Sequence, residues 1–218
     1  MEVTMQQTHD TWSAHMIILN KEFLKPSREA RILSILEQLS QDSGISQHDL
    51  GRRTRLSGAM VNQYLKDLHK KKYIRYEPSN GKKYRYVLTK KGENCRQACL
   101  NGYSSELVRL YTALKDTIVQ KLAGLARRNI RKLVLFGASE TCEVVLSAIR
   151  YEPFEVVAIA DNDPAKQGTR FHGHLVVAPS LLKGLAIDAV VITSFGCQDE
   201  IAGQLPLHLG QDMEIVRL

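Results

Sequence analysis

Apolar residues recur every three or four positions at Ala30, Leu33, Leu36 and Leu39, which predicts a helix with one buried face. Pro26 and Ser27 stand at its start and Asp42-Ser43-Gly44 at its end. Ser46 lies three residues before Asp49 and just ahead of Leu50, a capping-box start for a short helix that runs out near Leu56. Ser57 is a natural N-cap for the next helix, expected over 58–72, with Val61, Leu65 and Leu68 at helical spacing. Two tyrosine-rich runs follow, at 73–77 and 83–89, and Pro78-Ser79-Asn80-Gly81 lies between them. Asn-Gly between two such runs is a strong hairpin signal. Helix, turn, helix and β-hairpin in that order make a winged helix.

Ahead of it, Met16, Ile17, Leu19, Phe23 and Leu24 suggest a short amphipathic helix over 15–24. Behind it, Gly92 leads into a polar helical stretch that Asn101-Gly102 is expected to interrupt. A longer pattern then runs over 104–128 through Leu107, Leu110, Leu114, Ile118, Leu122 and Leu125. A single apolar stripe of this length needs a partner. One reading is a dimerisation helix; the other is a connector packed on its own domains.

From residue 131 the texture changes. Apolar runs at 132–136, 154–160, 175–177, 188–193 and 213–216 alternate with helical spacing at 141–151, a leucine-rich turn after Pro179, and 198–208. Such alternation predicts a parallel sheet covered on both faces. The expected class is α/β overall: an N-terminal winged helix of α+β type, a linker helix, and a C-terminal Rossmann-like sheet of about five strands. The expected segments are an extension at 1–26, a winged domain at 27–101, a linker or dimerisation helix at 102–130 and a ligand-binding or assembly domain at 131–218.

Charge sharpens this division. The chain carries 30 Lys/Arg against 23 Asp/Glu, a net +7, spread unevenly. Residues 28–101 hold 16 basic and 7 acidic side chains, and residues 131–218 hold 7 and 11. One half suits nucleic acid and the other does not. No apolar run approaches the ~18 residues of a membrane helix. Glu2, Thr4, Gln6, Gln7 and Asp10 break up any apolar leader, so a cytoplasmic protein without membrane contact is expected. Cys95, Cys99, Cys142 and Cys197 include no Cys-x-x-Cys pair and are expected to be reduced structural thiols.

Double-stranded DNA is the partner this pattern implies. Ser57, Ala59, Asn62, Gln63 and Lys66 form the polar face of the second winged-domain helix, where short side chains and amides reach base edges in a major groove. Lys70, with Lys71 and Lys72, and Lys82 and Lys83 at the hairpin tip suit phosphate contacts. The plainer alternatives are a solvated basic surface that favours the helix C-terminus and a winged helix used only for protein contacts. The motifs Ile45-Ser46-Gln47, 61–68 (VNQYLKDL), Lys72-Tyr73-Ile74 and Leu88-Thr89-Lys90-Lys91-Gly92 resemble the MarR-like winged helices of small bacterial regulators associated with surface-polysaccharide gene clusters. That resemblance covers residues 27–98 and implies DNA binding.

The first strand-to-helix turn of the second half reads Gly137-Ala138-Ser139-Glu140-Thr141-Cys142. A dinucleotide fingerprint asks for three glycines there, and only Gly137 is present. Ser139 is a candidate phosphate donor, while Glu140 puts charge where a phosphate would sit. Asp161, 24 positions after Gly137, stands where an acidic residue commonly holds a ribose; the alternative is an ordinary loop aspartate. Ser194 and Gly196 follow the third long strand on the same edge. His172-Gly173-His174 lacks a third ligand, so no metal site is expected. The stretch VVAIADNDPAKQGTRFHGHLVV, 156–177, resembles the nucleotide-sugar-binding N-terminal domain of bacterial sugar acyltransferases and, less closely, the NADH-sensing domain of Rex repressors. Those resemblances imply a nucleotide, a nucleotide sugar or NAD(H) as ligand, and no transfer activity, since the acyltransferase repeats are absent.

The reading reached is a non-enzymatic, dimeric transcription regulator whose C-terminal domain senses a nucleotide-type ligand. The alternatives are a DNA-binding protein whose second domain only assembles subunits, and a nucleotide-sugar-modifying enzyme carrying a DNA module.

Overall fold

The computed structural model describes residues 25–79, 84–209 and 213–218. The helix expected over 15–24 lies outside them. The chain divides into two compact units, Met1–Val108 and Arg109–Leu218.

In the first unit, helices α1 (Arg28–Gln41), α2 (Gln47–Thr54) and α3 (Gly58–Lys70) precede a hairpin of β1 (Ile74–Pro78) and β2 (Tyr84–Leu88). Each helix starts on a serine whose hydroxyl accepts a backbone N–H of the first turn: Ser27 from Ala30, Ser46 from Asp49 and Ser57 from Met60. Ser46 also donates to the Asp49 carboxylate at 2.8 Å. The three expected starts are therefore real caps. Leu36, Leu50, Val61, Leu65, Leu68 and Ile74 meet in one buried cluster. Full burial of each such side chain stabilises by about 1.5–3 kcal/mol. The expected winged helix is observed.

Helix α4 (Lys90–Arg127) is continuous for 38 residues. The interruption expected at Asn101-Gly102 does not occur; one glycine in a helix interior costs only about 1 kcal/mol, which flanking turns absorb. Thr89 caps its start, accepting the Gly92 N–H at 3.1 Å and donating to the Lys72 carbonyl at 2.6 Å. A Cβ on Gly92 would overlap the Tyr73 carbonyl, so only glycine lets α4 begin this close to the hairpin. One turn on, Arg96 pairs with Glu37 of α1 and with Glu93. Glu37 is 3% exposed. The two carboxylates, that of Glu93 first, hold the Arg96 guanidinium above its ordinary pKa.

The second unit holds a six-stranded sheet in the order β5-β6-β4-β3-β7-β8. Its strands are β3 (Lys132–Phe136), β4 (Glu155–Ala160), β5 (Arg170–Phe171), β6 (His174–Val177), β7 (Ala189–Ile192) and β8 (Glu214–Arg217). All adjacent pairs are parallel except β5 with β6. The five parallel strands thus lie 3-2-1-4-5 in chain order, a doubly wound arrangement. The two-residue β5 was not foreseen; two residues carry no period.

Leu133, Leu135, Ile159 and Val191 on one face pack with α5 (Glu140–Ile149) and with Ile118, Leu122 and Leu125 of α4. Val134, Phe136, Val190 and Ile192 on the other pack with the 3-10 helix Pro179–Gly184 and α6 (Gln198–His208). Ile118, Leu122 and Leu125 therefore belong to the core of their own unit. Only the stretch before them keeps large apolar side chains outside: Val108, Leu110, Tyr111 and Leu114.

Leu122→Ala should accordingly lower stability by about 3 kcal/mol, the usual cost of emptying a buried leucine site. Urea unfolding should show the loss in the transition of the C-terminal unit, at protein concentrations that do and do not favour assembly.

Candidate nucleic-acid interface and the carboxyl edge of the sheet

On the winged domain, Val61, Leu65 and Leu68 turn into the core, and this leaves the opposite face of α3 outside. Ser57, Ala59, Asn62, Gln63, Lys66 and Lys70 are all exposed. The structure brings these six residues to one helix. Gln63 is not idle: its amide donates to Asp67 at 3.0 Å, and Asp67 pairs with Arg28 at 3.2 Å. Reading a base with Gln63 means exchanging that exposed contact. Lys82 and Lys83 lie outside the described residues.

Aromatic side chains join this face. The His69 ring stacks on Tyr76, with centroids 4.4 Å apart and planes 6° from parallel. Tyr76 also meets Tyr84 at 6.3 Å and the edge of Tyr86 at 5.5 Å. Burial, and then the Tyr86 phenol, raises the Tyr76 pKa above its ordinary value. Sequence reasoning passed over these rings. The signal was present in the alternation of Tyr76, Tyr84 and Tyr86 on one side of a hairpin.

In the second unit, the carboxyl ends of β3, β4 and β7 are tied together by side chains. Gly137 leaves β3 with φ +112°, a conformation that favours glycine. Its N–H donates to the Ala160 carbonyl at 2.7 Å, and a Cβ there would lie 3.4 Å from Thr193. Ser139 donates its hydroxyl to the Thr193 carbonyl at 3.2 Å, and Thr193 donates to the Phe136 and Gly137 carbonyls at 2.8 Å. Ser139 starts α5 without a side-chain cap bond.

Asp161 is 8% exposed. One carboxylate oxygen accepts the Ala138 N–H at 2.7 Å and the Lys166 ammonium at 3.1 Å. The other accepts the Asp163 N–H at 2.8 Å. Lys166 also donates to the Ala138 carbonyl at 2.8 Å. The backbone donor that a phosphate would seek in this turn already holds the protein's own carboxylate. Two consecutive Asx turns, Asp161 to Asp163 and Asp163 to Ala165, fold the loop back and deliver Lys166. Lys166, Ala138 and Thr193 were absent from the sequence-derived site; the Asp-Asn-Asp-Pro run at 161–164 was the available clue.

Gly137, Ser139 and Asp161 are thus brought together, with Thr193 as the link to β7. Ser194 and Gly196 follow Thr193 in the loop toward α6, beside an exposed Phe195. Cys142 lies beneath the turn, fully buried, and burial pushes its thiol up to about 12. All four cysteines are free. Among the described residues no group of His, Cys, Asp and Glu could hold a metal ion, and no helix is long and apolar enough to cross a membrane.

Residues 28–75 match a family model described as winged helix-turn-helix DNA-binding, and residues 129–216 match one described as C2185-like, N-terminal. The first match supports a DNA-binding winged helix over these residues. Solved structures similar to the chain include MepR, a transcription regulator of the Staphylococcus aureus multidrug efflux pump MepA. It shares 20% identity over 47% of this chain and 76% of its own, with a TM-score of 0.36. Rv1404 of Mycobacterium tuberculosis shares 19% over 45% of this chain and 65% of its own, with a TM-score of 0.33. A MarR-family regulator from Rhodococcus sp. RHA1 shares 14%, covering 44% and 70%, with a TM-score of 0.36. These values are too low to carry a function across. No curated protein matches the chain.

Asp161→Ala should destabilise the ligand-free protein by about 2–3 kcal/mol, because it leaves the Ala138 and Asp163 N–H groups without their acceptor and takes from Lys166 one of its two acceptors. Thermal unfolding without any added small molecule is the check; an unchanged transition would show that the latch contributes nothing.

Proposed function

We propose that this protein is a cytoplasmic, non-enzymatic transcription regulator that reads duplex DNA as a homodimer. The observation that carries the reading is the exposed basic and amide-bearing face of α3 on a capped winged helix. Asn62 and Gln63 are the base-reading side chains. Ser57 and Ala59 enter the groove with the helix start. Lys66, Lys70, Lys82 and Lys83 contact phosphates.

The apolar stretch of α4 supplies the subunit contact. Val108 is 63% and Leu110 53% exposed, and with Leu107, Tyr111 and Leu114 they form a stripe at helical spacing. It is self-complementary. Two copies crossing antiparallel about an axis between Leu110 and Tyr111 set Leu107 against the partner's Leu114. The same crossing sets Glu106 against the partner's Lys115. A two-fold contact of this kind suits a reader of palindromic sites.

The C-terminal unit takes a nucleotide or nucleotide sugar at the carboxyl edge, with Gly137, Ser139, Asp161, Ser194 and Gly196 as its contacts. Support comes from the doubly wound strand order, whose switch point falls between β3 and β7, the place where such sheets bind ligands. A second reading, assembly without a ligand, is favoured by the occupied turn: Asp161 already holds the Ala138 N–H. A thermal-shift screen of nucleotides and nucleotide sugars separates the two, since a ligand at 100 times its Kd adds about 2.7 kcal/mol of stability.

Gln63→Ala should change sequence preference, while Lys66→Ala or Lys70→Ala should weaken all duplexes alike and flatten the salt slope by about 0.9 each. Unaltered binding in all three would rule out this docking. Leu110→Glu with Leu114→Glu should give a folded monomer by light scattering, because both sites are exposed within the single chain. A double variant that stays dimeric would move the contact to another surface.

A further inference from the structure

The aromatic line on the winged domain has no part in the reading above. Tyr86 anchors it: its ring is buried and its hydroxyl accepts from Gln47 of α2 at 3.0 Å. Tyr76 stands edge-on to Tyr86 and face to face with His69 of α3. The hairpin is therefore keyed to both helices of the helix-turn-helix. Tyr84 ends the line. It is 61% exposed, against 37% for Tyr76, and no hydrogen bond reaches its hydroxyl among the described residues.

The line continues a face of α3. Asn62, Lys66 and His69 recur at helical spacing on that helix, and the stack carries the strip onto β1 and β2. Its charges are of one sign. Lys66, Lys70 and Lys71 are exposed, while Asp67 on the same helix is engaged by Arg28; Arg75, Glu77 and Arg85 alternate onto the other side of the hairpin. A cationic strip ending in an exposed phenol fits the sugar-phosphate backbone, which accepts hydrogen bonds from Tyr as well as from Lys and Arg.

We propose that Tyr84 binds the backbone of duplex DNA, its hydroxyl donating to a phosphate oxygen, and that the His69–Tyr76 stack is the positioning element that holds it beside α3. The inference rests on the DNA-binding reading and extends it to three residues outside the lysine set. It has a distinctive signature. A neutral hydroxyl releases no counterion, so its loss weakens binding equally at every salt concentration. Loss of a lysine contact flattens the salt dependence instead.

The test uses the full chain and a labelled mixed-sequence duplex of about 30 base pairs, with anisotropy titrations across a series of KCl concentrations. Tyr84→Phe keeps the ring and its packing. It should weaken binding about three- to tenfold, as expected for one hydrogen bond, with the slope of log K against log salt and the melting temperature unchanged. Lys66→Ala is the contrast, with a slope reduced by about 0.9. His69→Ala should weaken binding at least as much as Tyr84→Phe, and His69→Phe, which keeps a stacking ring, should restore it. Wild-type affinity in Tyr84→Phe, beside an altered Lys66→Ala, overturns the backbone contact. Wild-type affinity in His69→Ala overturns the positioning role, as does a folded His69→Phe that fails to rescue. No duplex binding by the wild type would sink the DNA-binding reading itself, and this inference with it.

Discussion

A carboxylate with 3% of its surface exposed keeps its charge at low cost only beside a cation, and for Glu37 that cation is Arg96 of α4. Removing one partner of a buried pair typically costs 3–5 kcal/mol; Arg96, at 18% exposed, is partly screened by water, so about 2 kcal/mol is a fair figure here. The position of Arg96 follows from Thr89 and Gly92, two turns and one turn earlier. Thr89 ties the helix start to the Lys72 and Tyr73 carbonyls, and the missing Cβ of Gly92 permits the approach. The hairpin that those carbonyls precede is keyed to α2 and α3 by Tyr86 and Tyr76. One ion pair, one cap and one glycine thus fix the frame in which α3 presents its polar face.

Helix α4 serves two cores with one backbone. Cys95 packs against the cluster of the first unit, and Ile118, Leu122 and Leu125 complete that of the second. Its middle serves neither, which is why Val108, Leu110, Tyr111 and Leu114 are outside. Periodicity alone treats all six apolar positions from Leu107 to Leu125 as equivalent. The division among them depends on which turns of the helix meet a sheet, and that is a tertiary fact.

The elements read from sequence were those whose signals are local. Serine caps at Ser27, Ser46 and Ser57, the apolar stripes of α1 and α3, and the strand runs of the parallel sheet all act within a few residues. Asn101-Gly102 misled because propensity is a weak term beside the packing of the turns on either side. The polar face of α3 was legible because burial of Val61, Leu65 and Leu68 dictates it. Asp161 was found as a residue, but its bonds were not: the Ala138 N–H comes from another strand end and Lys166 from a folded-back loop, and neither contact has a sequence period. The aromatic line was missed for the same reason, since His69 and Tyr76 meet across a turn.

The Asp161 latch also sets a threshold for any small molecule. An acceptor tethered beside its donor acts as if present at an effective concentration of order millimolar or more. An incoming phosphate competes with that internal anion for the Ala138 N–H and leaves a displaced, desolvated carboxylate nearby. Under the ligand-binding reading proposed above, a molecule would therefore need enough further contacts, beyond its phosphate, to displace the Asp161 carboxylate from the Ala138 N–H.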